Sequence, residues 1–512
     1  MRINRTGDPR FSAILSVCLS MTFAASAQAA NLLDPPVFAS SGGVLDLMMV
    51  AQASQVNGFT TPGYSPQGWV YTVCPRPASG TSCPPGSPTT VSPYGGVRLA
   101  LIAGDLLKIR LVNNLPIITE QLERANEDAA LVYNPTNLHT HGLIVPAAAN
   151  TVAPPAIPVY GDFIFTSLFN PSNIQGVDLS GDPLHMHGDV VTTGVIDYKI
   201  QTTANHPSGA FWFHPHVHGI SLNQLSAGLS GIISMGKAAD YVCFDEACGA
   251  PIPESTVRHI ILKDMQVLPG NQTQFQEDPA FCPGLSVDNG QCAGDPAAYP
   301  AGSLWFFTLN GQQYPTIPLS SANGELWRFT NASGSASYDL QLDDDTTKKP
   351  IPFQIISIDG VSVSFPEGAT SGQIVQIGAN RFKYANCGSK VQGFYHSQPV
   401  CATDLFMTPA TRVEVFVAWR NASGDVAAAP QGQTATLKTV GIVTGPGGDS
   451  WPAVNLGHVV FAARPDRYLP LRRFAGHPGL LCIAALVIPA LRSDDWLEEF
   501  PSASGLTRTR RR

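Results

Sequence analysis

Residues 93–116 read PYGGVRLALIAGDLLKIRLVNNLP and point to a β fold. Two apolar runs, rich in Leu, Ile and Val, flank a turn at Ala103-Gly104-Asp105. Apolar β-type runs that are separated by turn-forming residues are typical of paired strands. The stretch therefore predicts two strands joined by a turn.

Short β-type runs recur along most of the chain, and few segments resemble helices. The further candidate strands are residues 197–202, 210–217, 231–235, 257–267, 304–312, 324–331, 353–363, 411–419 and 434–445. This spacing indicates β-sandwiches. A weak internal repeat supports two similar domains, because GDL at 104–106 and GEL at 324–326 each lead a strand that ends in asparagine, at Asn113 and Asn331.

Length and composition limit the number of domains and the class of partner. The chain has 512 residues, of which 44% are apolar and 13% charged, with 47 Gly and 43 Pro. This length allows two or three domains with real cores, and the Gly and Pro content suits a turn-rich β protein. The net charge of −8 argues against a nucleic-acid partner. We expect sandwich domains at residues 31–237 and 256–462 and an arginine-rich irregular tail at 463–512.

The N-terminus has the features of an export signal. Arg2, Arg5 and Arg10 precede the apolar run Phe11–Ala25, and the small residues at 27–29 follow as a cleavage site. The run is too short to span a bilayer. We therefore predict a signal peptide at residues 1–29, no membrane span, and an exported protein that is periplasmic or secreted.

Eight of the ten cysteines have a close neighbour along the chain. The neighbours are Cys74 and Cys83, Cys243 and Cys248, Cys282 and Cys292, and Cys387 and Cys401. In an exported protein such neighbours are typical of disulfides that close short loops. None has the Cys-x-x-Cys spacing of a zinc site. We predict four local disulfides, although spacing alone leaves their connectivity open.

Histidine is concentrated in one part of the chain. Eight of the twelve histidines lie between His139 and His218, and four of them form the pairs His139/His141 and His214/His216. Residues i and i+2 of a strand point to the same face, so each pair can present two imidazoles to one metal or to two adjacent metals. Neutral imidazole binds copper, zinc, iron or nickel.

The segments that carry these pairs resemble a known family. NLHTHGL (137–143) and FWFHPHVHG (211–219) are similar to the first two copper-binding signatures of the multicopper oxidases, the laccase-like family. The segments GDLLKIRLVNNLP, GLSGIISMG and LNGQQYPTI also resemble family segments, so the resemblance runs from about residue 93 to about residue 461.

The resemblance implies a fold, a reaction and a ligand set. The fold would be tandem cupredoxin-like (plastocyanin-like) Greek-key β-sandwiches, and the cofactor copper. The reaction would oxidise a small reductant and reduce dioxygen to water. His139 would bind the type 2 copper, His141 and His214 would share one type 3 copper, and His216 would bind the other.

The remaining histidines are assigned lesser roles. His218 follows the second pair at i+2, but Gly219 indicates that the strand stops there, so a second-shell or rim role is favoured over a ligand role. His185 and His187 are interpreted as loop histidines, with an accessory metal site as the alternative. His206 fits a turn. The isolated histidines at 259, 396, 458 and 477 are interpreted as structural or exposed.

The C-terminal part departs from the family pattern. No His-x-His follows His218, Cys482 is the only late cysteine, and the last methionine is Met407. We therefore expect the chain to lack the C-terminal type 1 copper domain, through a reading-frame change or natural truncation, and oxidase turnover to need that missing domain or a second chain. The alternative is an exported copper-binding or scaffold protein without turnover, and a zinc site on the same four histidines is a third possibility.

Overall fold

β-strands dominate the structure, a computed structural model, which confirms the predicted all-β fold class. Among the residues that the structure describes, helix is confined to α1 (Ser221–Ala227) and to 3-10 turns at Pro93–Gly95, Ala129–Tyr133, Ala238–Asp240, Glu254–Thr256 and Pro279–Phe281. The structure describes residues 30–85, 93–119, 129–150, 157–177, 190–242, 251–282, 288–362, 372–377, 380–385, 400–444 and 448–462. The predicted signal peptide and tail lie outside these residues.

The strands fall into two series along the chain. The first series is β1 (Val37–Ala39), β2 (Val44–Gln55), β3 (Gln67–Pro75), β4 (Arg98–Leu101), β5 (Leu106–Asn114), β6 (His139–His141), β7 (Ala149–Asn150), β8 (Val159–Tyr160), β9 (Thr166–Phe169), β10 (Val190–Thr193), β11 (Val195–Gln201), β12 (Gly209–His214) and β13 (Gly231–Met235). The second series is β14 (Val257–Leu268), β15 (Gln272–Gln274), β16 (Gln291–Ala293), β17 (Leu304–Leu309), β18 (Gln312–Gln313), β19 (Thr316–Pro318), β20 (Glu325–Asn331), β21 (Tyr338–Asp344), β22 (Phe353–Ile358), β23 (Val361–Ser362), β24 (Ile374–Ile377), β25 (Asn380–Ala385), β26 (Val400–Met407), β27 (Arg412–Val417), β28 (Thr434–Thr439), β29 (Ile442–Val443), β30 (Ser450–Trp451) and β31 (Val454–Val460).

The first series packs two mixed sheets around one core. One sheet has the order β1-β4-β13-β12-β6, and the other has the order β3-β2-β5-β11-β8-β7. Because side chains alternate between the faces of a strand, β5 buries Leu107, Ile109 and Leu111 in the core. The chain crosses repeatedly from one sheet to the other.

The second series forms a larger sheet that also encloses a core of its own. Its main path runs β16-β17-β14-β20-β27-β22-β26-β21-β28-β31-β19. Side chains from both ends of this path meet in one apolar cluster, which includes Trp305 of β17, Trp327 of β20, Leu340 of β21 and Leu437 of β28. The cluster shows that the sheet folds around its own apolar face. The proposed boundaries at 31–237 and 256–462 remain a prediction.

The internal repeat seen in the sequence is also present in the fold. β5 lies between β2, to which it is parallel, and antiparallel β11, while β20 lies between parallel β14 and antiparallel β27. The asparagines near the C-terminal ends of these two strands make matching bonds. Asn113 Nδ2 donates to two backbone carbonyls and Asn113 Oδ1 accepts from Leu115 N, and Asn331 does the same with its own neighbours, including Ser333 N. Only the first repeat carries the histidine pairs.

A buried ionic network attaches the segment after the first series to the second sheet. Arg328 of β20 pairs with Glu414 of β27, with 2.9 Å between Nε and Oε1, and the two side chains are 1% and 2% exposed. Tyr241 donates to Glu414 at 2.9 Å and accepts from Arg328. Ser357 donates to the other carboxylate oxygen of Glu414. A buried charge pair with these added partners resists separation, because each ion would be left uncompensated.

Several predicted strands end earlier than the sequence indicated. β17 ends at Leu309 rather than at 312, since Asn310 has a φ of 51°, and β22 ends at Ile358 rather than at 363, since Asp359 has a φ of 52°. A left-handed residue turns the chain and ends strand pairing. β28 likewise ends at Thr439 rather than at 445. The long strands β2 and β3 were not predicted from the sequence.

Two of the four predicted disulfides lie within the described residues, and both are formed. Cys74 joins Cys83, and Cys282 joins Cys292, with Cα–Cα distances of 5.9 Å and 6.2 Å. The predicted pair Cys243/Cys248 and residue Cys387 lie outside the described residues. The helices found in the described part of the chain are all too short or too polar to span a membrane.

Candidate metal centre

Two neighbouring strands bring three of the four candidate histidines together. β6 pairs antiparallel with β12, and the register sets His139 opposite His214 and His141 opposite Trp212. Because β6 alternates, His139 and His141 share one face, while Thr140 between them is buried on the other. The sequence predicted that His139 and His141 point to the same face of a strand, and in the structure they do so on β6.

The three imidazoles are close enough to hold one ion. A ring nitrogen from each of His139, His141 and His214 lies within 4.8 Å of the others. His141 Nδ1 and His214 Nε2 are 3.1 Å apart. Imidazole nitrogens bind transition metals at about 2.0–2.1 Å, so two nitrogens at this separation can both contact one cation. Three ring nitrogens this close together are arranged as metal ligands would be, whereas histidines on a solvated surface have no reason to converge.

The fourth histidine joins the group from outside the strand. The predicted strand at 210–217 ends at His214, which corrects that prediction, because Pro215 has no N–H to continue the ladder. His216 N instead donates to Asn137 Oδ1 at 2.5 Å. The His216 ring centre lies 5.3 Å from that of His139 and 5.9 Å from that of His214. His216 is buried only in part and is more exposed than His214, which is buried.

Hydrogen-bond acceptors orient two of the rings. Asp162 lies beside His139, with Nδ1 3.3 Å from Oδ1 and 3.2 Å from Oδ2, and it also accepts from Thr140 N at 2.9 Å. His214 Nδ1 lies 2.8 Å from the carbonyl of Pro215, so this nitrogen donates and Nε2 is left for a ligand. Sequence reasoning missed Asp162, since nothing in its local sequence distinguishes it from other loop aspartates.

The local environment favours the neutral form of three of the imidazoles. Burial, followed by the charge of Arg412 and by the neighbouring histidines, lowers the pKa of His141 to about 4. Burial also lowers the pKa of His214 well below its ordinary value, and it lowers the pKa of His216. Neutral imidazole is the form that binds metal. At neutral pH these three rings are therefore ready to act as ligands without first losing a proton.

Trp212 and His206 pack beside the histidine group and hold its rings and backbone in place. The Trp212 ring stacks on His214 with 4.3 Å between ring centres and lies 5.2 Å from His141. His206 is buried, accepts from Ile144 N through Nε2 at 2.9 Å, and packs edge-on against Phe211. His206 therefore anchors the backbone that follows His141, which makes it structural, as its turn context indicated.

The other histidines lie elsewhere or outside the description. His218 is exposed in a turn close to His216 and is not part of the three-residue group. His259 is buried and lies 2.8 Å from Arg98 Nη1, so it joins the two strand series rather than binding metal. His458 is about one-third exposed, and its Nδ1 lies 3.8 Å from Asp345 Oδ2. The histidines at 185, 187, 396 and 477 lie outside the described residues.

The donor set fits a transition metal. Neutral nitrogen ligands suit copper, zinc, iron or nickel, whereas magnesium and calcium prefer oxygen. The rings stand on paired strands and two of them have an oriented nitrogen, so little reorganisation is needed to bind an ion. Among the described residues, this is the one group of metal-ligating side chains close enough to hold an ion.

Comparison with known proteins gives structural relatives only. No protein-family model matches the chain, and no curated protein matches it. The solved structures that it matches include multicopper oxidases.

Three of these structures illustrate the extent of the similarity. The laccase-like multicopper oxidase CueO from Ochrobactrum sp. is 15% identical, with 84% of this chain and 64% of that chain covered and a TM-score of 0.46. A multicopper oxidase from Pediococcus acidilactici is 16% identical, with 91% and 65% covered and a TM-score of 0.45. A metallo-oxidase from Campylobacter jejuni is 14% identical, with 84% and 62% covered and a TM-score of 0.42. The chain spans less than two thirds of the length of each.

Proposed function

We propose that this chain is an exported copper protein that binds copper through His139, His141, His214 and His216. In this proposal the bound copper takes part in oxidising a small-molecule reductant, with dioxygen reduced to water. Copper would supply one-electron transfer at the site.

The observation that carries the proposal is the three ring nitrogens within 4.8 Å of one another. Imidazole nitrogens that approach so closely form a site that a transition metal can occupy. The two His-x-His motifs also occur in the order that resembles the multicopper oxidases. This resemblance favours copper over zinc, iron or nickel.

The chain's own residues hold the ligands in place. Asp162 accepts from the His139 ring and from Thr140 N, so it fixes both the ring and the strand that bears it. The Pro215 carbonyl fixes the His214 ring, and Asn137 fixes the backbone of His216. Orientation by such partners is typically worth about 10–100-fold in metal affinity.

Metal retention by the purified chain tests the proposal. The protein is loaded with Cu²⁺, passed through a desalting column, and assayed for copper per chain. We expect the wild-type protein to retain copper and His141→Ala/His214→Ala to lose most of it. His458→Ala removes an imidazole outside the group and serves as the matched control. Copper retention by the double variant at the wild-type level would overturn the proposal.

A copper-binding role without turnover is the second candidate. The exposure of His216 at the edge of the histidine group favours this binding role. A copper ion beside His216 would face solvent, whereas oxygen reduction needs copper ions enclosed by ligands. Oxygen uptake with a phenolic reductant distinguishes the two roles. Sustained uptake that is lost in His139→Ala supports the oxidase, while copper retention without uptake by the copper-loaded chain supports the binding role.

A further inference from the structure

The second strand series contributes a buried positive charge beside the histidine group. Arg412 begins β27 and its side chain is 5% exposed. It packs against Gly142, the residue that follows His141. A β-carbon on Gly142 would lie 2.6 Å from Arg412 Nη2 and 3.2 Å from Cζ, and Gly142 has a φ of +89°. The guanidinium therefore occupies the space that a side chain at position 142 would take.

This charge is only partly neutralised. Asp359 Oδ1 lies 3.1 Å from Arg412 Nη1 and also accepts from Arg412 N at 2.8 Å. Nη1 donates to the carbonyl of Ala410 as well, whereas Nε has no hydrogen-bond partner among the described residues. The Asp359 side chain is 45% exposed, so solvent screens its charge, while the guanidinium is buried. A net positive potential remains next to His141.

We propose that Arg412 sets the ion preference of the histidine group by disfavouring a bare metal cation and favouring the cation together with a small inorganic anion, such as hydroxide or a halide. The inference rests on the proposed function, since it requires a metal at His141 and His214. A guanidinium stays charged at all working pH values and donates to anions readily. An anion on the metal reduces the repulsion between the two cations.

One carboxylate near the group acts in the opposite direction. Asp162 lies beside His139, with 3.2 Å between His139 Nδ1 and Asp162 Oδ2, and its negative charge attracts a cation.

Copper affinity in charge variants tests this inference. The dissociation constant for Cu²⁺ is measured by competition with a coloured chelator, with and without sodium fluoride. Arg412→Met removes the charge and should bind Cu²⁺ about tenfold more tightly, which corresponds to about 1.4 kcal/mol of removed repulsion. Arg412→Lys keeps the charge and should resemble the wild type. Fluoride should strengthen copper binding in the wild type and less so in Arg412→Met.

Two further variants separate charge from packing. Asp359→Asn removes the half-exposed counter-charge and should weaken Cu²⁺ binding several-fold, opposite in sign to Arg412→Met. Arg420→Met removes another buried guanidinium, whose charged neighbour is Asp425, and should leave the affinity unchanged. Thermal unfolding of each variant checks that it is folded.

The possible outcomes are distinct. If Arg412→Met and Asp359→Asn both weaken copper binding, Arg412 acts through packing and the inference is overturned. Equal dissociation constants in all variants overturn this inference alone. If the wild-type chain does not bind Cu²⁺, the proposed function fails and this inference fails with it.

Discussion

Replacing Asp162 tests whether the orientation of His139 matters for metal binding. Asp162 is 8% exposed, and its carboxylate serves the His139 ring and Thr140 N. In Asp162→Asn one oxygen remains and can still accept from Thr140 N. The negative charge and the second acceptor beside His139 are lost. Asp162→Ala removes both contacts, so the buried Thr140 N–H is left without its acceptor.

The contacts set the size of the two effects. Loss of an oriented partner of a ligating imidazole typically lowers metal affinity about 10–100-fold. Because Asn keeps one contact, we expect about a tenfold loss for Asp162→Asn and up to about a hundredfold loss for Asp162→Ala. The alanine variant should also lower the free energy of unfolding by about 1–3 kcal/mol, the cost of a buried unpaired backbone group.

Competitive copper titration and urea unfolding measure these effects in the same protein samples. Asp105→Asn is the matched control, since Asp105 is 2% exposed, accepts from Ile102 N and Ser40, and precedes β5, which lies in a different sheet from β6 and β12. We expect it to change stability and not copper affinity. Copper affinity in Asp162→Asn that equals the wild-type value would refute the orienting role of this carboxylate.

Three predictions concern stability. Glu414→Gln leaves the buried Arg328 guanidinium uncompensated, so the free energy of unfolding in urea should fall by about 3–5 kcal/mol; a loss below about 1 kcal/mol would contradict the importance of the pair. Cys282→Ser/Cys292→Ser opens a loop with a sequence separation of 10, and the chain-entropy model gives a loss of about 2.7 kcal/mol; an unchanged urea midpoint would reject it. Burial alone raises the pKa of Asp197, but hydrogen bonds and charges from neighbouring guanidinium groups outweigh burial and hold the pKa below its ordinary value. The stabilisation by Asp197 is therefore present above its unfolded pKa of about 4 and is lost as pH falls through the lower folded pKa. The stability gap between wild type and Asp197→Asn should narrow with falling pH, and a gap that is constant with pH would disprove this.

The ligand candidates could be predicted because their signal is local. His139 and His141 are two residues apart on one strand, and a strand sends such residues to one face whatever surrounds it. The second pair was also found, but its backbone was not predicted correctly. Pro215 ends the strand, so His216 reaches the group through a bond to Asn137 rather than through strand geometry.

The supporting residues could not be predicted because tertiary packing brings them to the site. Asp162 lies 23 residues from His139, and Arg412 comes from the second strand series. Neither residue stands in a local pattern that separates it from an exposed charge. Sequence periodicity likewise predicted the strands around Leu107 and Trp327 but not the positive φ at Asn310 that ends β17.

Electron paramagnetic resonance of the Cu²⁺-loaded chain tests the central claim most directly, because nitrogen ligands split the copper signal. The protein is labelled with ¹⁵N-histidine and loaded with less than one equivalent of Cu²⁺. The account predicts nitrogen splitting that changes with the isotope label and disappears in His141→Ala/His214→Ala, while His458→Ala leaves it intact. A wild-type spectrum without histidine splitting, or one that the double substitution does not alter, would contradict a copper site on these histidines.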